Sequence, residues 1–216
     1  MASSVSCWPR NLAIMLDNPE RRTRLTLYSE SSCPFGQQIR FALEEKGVDY
    51  QFVTLESGEW PEFLADINPT ASGPTLIDRD VALYDPCIIL EYLDERYPHP
   101  ALMPASPADR ARIRLMLSQL SQNWQPLIHQ LQGRSATKAR RTLKEDITVM
   151  APLLSNNEFA YGQQFSLLDC FLLPFLWHLP EFGVKLPASA AAVERYAKRL
   201  YSRPAFKASL TTASKD

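Results

Sequence analysis

Cys33 is followed directly by Pro34 in the stretch "SSCPFGQQIR", just after the apolar run Leu25-Thr26-Leu27-Tyr28 and just before a helical pattern. A cysteine at a helix start meets the positive end of the helix dipole and unpaired N–H groups, which lower a thiol pKa and favour the nucleophilic thiolate. Three residues later stands Gly36, so the motif holds no second thiol to resolve a mixed disulfide. Any thiol chemistry at Cys33 would be monothiol and would draw on an outside thiol. The other cysteines, Cys7, Cys87 and Cys170, are far apart, with no CxxC pair and no Cys/His cluster at zinc spacing. This pattern predicts no metal site and a reduced, cytoplasmic chain. Cys87 and Cys170 fall in helical segments and read as small core residues, while His129 and His178 read as packed or surface positions rather than catalytic ones.

A second constellation is Asp85-Pro86, in which aspartate as N-cap and proline at the first helical position make a good helix start. The third is Pro98-His99-Pro100. A lone histidine cannot build a metal site, but flanking prolines fix the backbone, so the imidazole and rings can present a rigid, low-entropy docking surface.

The elements that must position these residues follow from periodicity. "LTLY" reads as a buried strand, and Ile39, Ala42 and Leu43 recur at helical spacing up to Gly47, a natural helix stop. "DYQFVTL" predicts a second strand and "EWPEFLADINP" a short irregular helix. "PTLID" and "VALYD" predict a hairpin about Asp78-Arg79-Asp80, and "PCIILEYLDERYP" an amphipathic helix. The order βαβαββα is a compact α/β unit. Closely spaced prolines from Pro98 to Pro107 then mark a boundary, and everything beyond reads as helix. "ADRARIRLMLSQLSQNWQPLIHQLQ" carries Ile113, Leu117, Leu120, Trp124 and Leu127 on one stripe, with Pro126 expected to kink it or end its regular part. A single helix is expected through "TKARRTLKEDITVMAPLL". "SLLDCFLLPFLWHLPEFG", apolar all round, is expected to be the buried centre of the helical part, with Ser166 and Asp169 forming a capping box. The closing helix or helices break at Pro204. The predicted organisation is an extension over 1–23, a thioredoxin-like domain over 24–103, a linker over 104–107 and a helical domain over 108–212.

Across 216 residues, 45% are hydrophobic and 22% charged, which suits a folded globular chain, and a formal net charge of -1 argues against direct nucleic-acid binding. No segment approaches the roughly 18 consecutive apolar residues that a membrane span needs.

A thioredoxin-like unit joined to an all-helical domain, with Cys33-Pro34-Phe35 opening the first helix, "SGPTL", "YDPCIILEYLDERYP" and the box "FSLLD", resembles the glutathione transferase family over residues 24 to 210. Within it, "LEYLDERYPHPALMP", an "NW" helix and "SLLDCFLLPFLWHLPEFGV" resemble the stringent starvation protein A branch. That resemblance implies a homodimer that binds RNA polymerase by protein contacts and alters promoter use, with Pro98, His99 and Pro100 in the contact surface and no cofactor. After "LMP", Ser106 stands where the branch carries an aromatic.

The wider family implies glutathione as ligand, a cis peptide at Gly73-Pro74, and the γ-glutamyl carboxylate held by an acidic residue followed by serine. Here those two positions read Asp85-Pro86, and proline offers neither the N–H nor the hydroxyl. Two lost hydrogen bonds to a carboxylate, at roughly 1.5 to 3 kcal/mol each, weaken binding by about two to four powers of ten. The alternative function implied is a cysteine-type, omega-like, glutathione-dependent thiol transferase with Cys33 as nucleophile.

Overall fold

The computed structural model describes residues 24–56, 60–70, 72–131 and 133–210. The expected extension over 1–23 and the last two residues of the expected helical domain lie outside the described residues.

The chain opens as β1 (Thr26–Ser29), α1 (Pro34–Lys46), β2 (Gln51–Thr54), α2 (Glu62–Ile67), β3 (Thr75–Asp78), β4 (Val81–Leu83) and α3 (Pro86–Arg96), the expected order. The sheet runs β2-β1-β3-β4, with β1 parallel to β2 and antiparallel to β3, and with Leu27 opposite Phe52 on one side and Leu76 on the other. α1 begins after Cys33, whose extended φ of -73° and ψ of 117° make it the N-cap, with Pro34 at the first helical position. It ends at Gly47, whose φ of 62° is the left-handed conformation that glycine adopts without steric cost.

Helices make up the rest: α4 (Pro107–Gln130), α5 (Ala136–Val149), α6 (Ala151–Asn156), α7 (Leu167–His178), a 3-10 turn at Ala188–Ala190, α8 (Ala191–Leu200) and α9 (Pro204–Ser209). Pro107, expected as the last linker residue, is already the first residue of α4, and the Ser106 hydroxyl accepts the Asp109 N–H at 3.4 Å as its cap. α4 continues past Pro126 to Gln130. The single helix expected over "TKARRTLKEDITVMAPLL" is instead two. Pro152 has no N–H to continue the ladder, so α5 closes at Met150 and α6 starts afresh with that proline in its first turn.

α7 is apolar and buried along nearly its whole length. Its start is fixed by Asp169, a carboxylate buried among donors: the Ser166 N–H at 2.8 Å, the Ser166 hydroxyl at 3.0 Å, the Ala160 N–H at 2.8 Å and the Tyr196 hydroxyl at 2.7 Å.

One contiguous apolar core crosses the expected domain boundary, joining Leu27, Phe41 and Leu43 to Trp124, Phe171 and Phe206. α1 lies at its centre, packed on α3, α7 and α9. Two of its buried polar side chains bond across the boundary, although Gln38 Oε1 and Arg40 Nη1 are left without a partner among the described residues. Gln38 Nε2 donates to the Phe171 carbonyl at 2.8 Å, and Arg40 Nε donates to the Ser209 carbonyl at 2.9 Å while its guanidinium lies 4.6 Å from the Phe52 ring centre.

Candidate functional site

Between the sheet-bearing unit and the helices lies a cleft of about 770 Å³. Cys33, Gly73, Pro74, Asp85 and Pro86, which are scattered along the sequence, line its thioredoxin-like wall. The opposite wall is supplied by Gln125, Ile128 and His129 of α4 and by Glu181 and Phe182 beyond α7. His129 is therefore a cleft residue, whereas His178 is buried behind the wall, its Nδ1 2.7 Å from Glu181 Oε2 and its Nε2 2.8 Å from Gln37 Oε1. Gln37 Nε2 continues to Ser209 Oγ at 3.4 Å, so a polar chain ties the helical wall through α1 to α9.

At Cys33, burial works against the thiolate that the helix start favours. Burial pushes the thiol pKa up from its ordinary value, and this outweighs the Gly36 and Phe35 N–H groups and the Ser29 hydroxyl that pull it down, while Glu30 adds a further upward push. The helix start is present, but desolvation of the anion wins over it. Gly36 also explains why no resolving cysteine is there: a Cβ at that position would collide with the hydroxyl of Ser29, a fully buried residue at the end of β1.

Asp85 is used as the helix-start reading of its sequence requires. Its Oδ1 accepts the Cys87 N–H at 2.9 Å and the Ile88 N–H at 3.0 Å, with Pro86 opening α3. The expected cis peptide at Gly73-Pro74 is corrected: among the described residues the cis bond is His99-Pro100. The chain turns before β3 through Gly73 itself, at φ 74°, a conformation open to glycine. The described cleft lining carries the carboxylates Glu30, Asp85 and Glu181 and the imidazole of His129, with no lysine or arginine. Such a lining opposes an anionic ligand. Among the described residues no group of three or more His, Cys, Asp or Glu side chains could hold a metal, and no helix is long and apolar enough to cross a membrane.

Pro98, His99 and Pro100 lie away from the cleft, all exposed, on the turn that leaves α3. The turn is held from beneath by Lys46, the last residue of α1, whose side chain is fully buried. Lys46 Nζ donates to Asp94 Oδ1 at 2.8 Å, to the Tyr97 carbonyl at 2.7 Å and to the Pro100 carbonyl at 2.9 Å. Asp94 in turn accepts the Leu102 N–H at 2.7 Å and the Met103 N–H at 3.1 Å. Sequence reasoning passed over both residues, though periodicity carried the signal. Lys46 continues the stripe of Ile39, Ala42 and Leu43, and Asp94 that of Leu90 and Leu93, so opposite charges occupy core-facing positions of two neighbouring helices.

Comparison with known proteins agrees with this architecture. Residues 27–101 match the family "Glutathione S-transferase, N-terminal domain" and residues 115–204 match "Glutathione S-transferase, C-terminal domain". The chain belongs to the glutathione S-transferase superfamily and, within it, to the family of stringent starvation protein A homologs. A stringent starvation protein A homolog of Pasteurella multocida is 36% identical over 200 residues, covering 91% of this chain and 94% of that protein. One of Coxiella burnetii is 34% identical over 200 residues, covering 91% and 96%. Among solved structures, the tau class glutathione S-transferase of mango, Mangifera indica, superposes with a TM-score of 0.74 at 26% identity, covering 88% of this chain and 94% of that one.

Proposed function

We propose that the protein is an RNA polymerase-associated transcription regulator of the starvation and stress response, working in the cytoplasm as a homodimer through protein contacts and without transferase turnover. The observation that carries this reading is the Pro98-His99-Pro100 turn, exposed yet braced from within by Lys46 and Asp94, which suits a preformed docking surface. The relationship to stringent starvation protein A homologs supports it. So does the cleft, where Pro86 stands at the position the family resemblance gives to a carboxylate-gripping serine, burial disfavours the Cys33 thiolate, and the charged lining is mostly carboxylate.

The test is affinity capture of RNA polymerase from the same organism by the purified protein. Wild-type protein is expected to retain the polymerase and His99→Ala to lose it, and equal capture by both removes the turn from the interface.

The second reading, a glutathione-dependent thiol transferase, is favoured by one observation: Cys33 caps α1 on the wall of the interdomain cleft. Thiol-transfer assays with glutathione decide it. Turnover present in the wild type and abolished in Cys33→Ser would establish the enzyme, and the expected result is no turnover in either.

A further inference from the structure

We infer that Lys46 and Asp94 form the positioning device of the docking turn, a buried ion pair whose role is to hold Pro98, His99 and Pro100 in the one arrangement a partner recognises. The inference rests on the reading of that turn as the polymerase contact. Its physical basis is a complete accounting of hydrogen bonds. An ammonium group has three donors, and Lys46 spends one on Asp94 and the other two on backbone carbonyls at either end of the turn, Tyr97 and Pro100. The Asp94 carboxylate answers with the backbone N–H groups of Leu102 and Met103, the residues that carry the chain out of the turn. The pair thus grips both the acceptors and the donors of one short segment.

Ordinary stabilisation does not require this arrangement. A buried ion pair is costly to desolvate, and an apolar pair of similar volume at the junction of α1 and α3 would serve packing as well. An apolar pair could not satisfy the two carbonyls and two N–H groups that this pair serves in a segment that belongs to no helix or strand. Pro98, His99 and Pro100 at the tip are exposed, and so open to a partner. Lys46 and Asp94 touch no partner themselves and act through the backbone of the turn.

The experiment compares Lys46→Met, Asp94→Asn and His99→Ala with the wild type in three measurements: affinity for purified RNA polymerase, thermal melting, and amide hydrogen exchange resolved over residues 97–103 and over the rest of the chain. The expected result for a folded Lys46→Met is a loss of polymerase affinity of about tenfold or more, with faster exchange confined to 97–103. Asp94→Asn keeps the volume and one acceptor, so it should show the same pattern more weakly. Polymerase affinity retained in a folded Lys46→Met, or exchange over 97–103 that does not change, would overturn the inference. General unfolding of both variants would overturn it too, because the pair would then be a general stabiliser rather than a device for one segment. If instead His99→Ala binds as well as wild type, the docking turn itself is at fault, a failure distinct from that of the pair.

Discussion

At the scale of single residues, Cys33 shows how a local rule and a tertiary effect pull against each other. Its place before a helix could be read from "SSCPFGQQIR", because Pro34 and the following apolar spacing announce the helix start. Its protonation could not, because the raised thiol pKa comes first from burial, and burial depends on walls supplied by distant segments. The sign has a direct consequence. A thiol whose folded pKa lies above its ordinary value is neutral at pH 7 and becomes thiolate only as the pH rises past that value. Alkylation of Cys33 in the native protein, followed by mass spectrometry across pH 7 to 10, is therefore expected to lag a free cysteine at every point and to accelerate only at the alkaline end. Asp85 taught the opposite lesson. Its capping role is local, set by residues two and three positions away, and it was legible from the dipeptide alone.

At the scale of elements, the order of strands and helices followed from periodicity. The misreading lay at Pro152, where a single helix was expected. Pro126 and Pro174 are carried inside helices, whereas Pro152 restarts one after a break at Met150. The capping box of α7 was legible as "FSLLD", yet the sequence gives no hint that Asp169 also receives Ala160 and Tyr196 from other elements. Removing that carboxylate strands the buried donors of Ala160, Ser166 and Tyr196 at once. Asp169→Ala is expected to cost roughly 3 to 5 kcal/mol, read from urea denaturation, while Asp169→Asn, which keeps one acceptor oxygen, should cost less. Lys46 and Asp94 were missed for a different reason: charged residues on an apolar stripe are easily assigned to solvent when the neighbouring stripe is not considered.

At the scale of the whole molecule, the expected two domains share one apolar core and one polar network, with α1 as the common element. Large apolar side chains on α3 and α4 stand in water: Ile88 on α3 is 55% exposed and Leu115 on α4 is 59% exposed. Beside them Arg114 pairs with Glu91 at 2.9 Å. Charged surroundings with exposed aliphatic centres suit a self-complementary surface. The proposed homodimer is therefore expected to dissociate in the double variant Ile88→Glu, Leu115→Glu, seen as a halved mass in light scattering with an unchanged circular dichroism spectrum. The shared network also bears on how the chain is made. Gln37 finds Ser209 across 172 positions of sequence, and Gln38 finds Phe171 across 133. A ribosome adding about 5 to 20 residues per second needs roughly 10 to 35 s to cover the longer separation. During that interval the first helix has been synthesised but its partners have not, so its inward-facing amides and apolar side chains stay hydrated or shielded by chaperones. The amino-terminal half cannot finish its own interior ahead of the rest, and a nascent chain halted before α9 would leave Gln37 and Arg40 without the acceptors that Ser209 supplies.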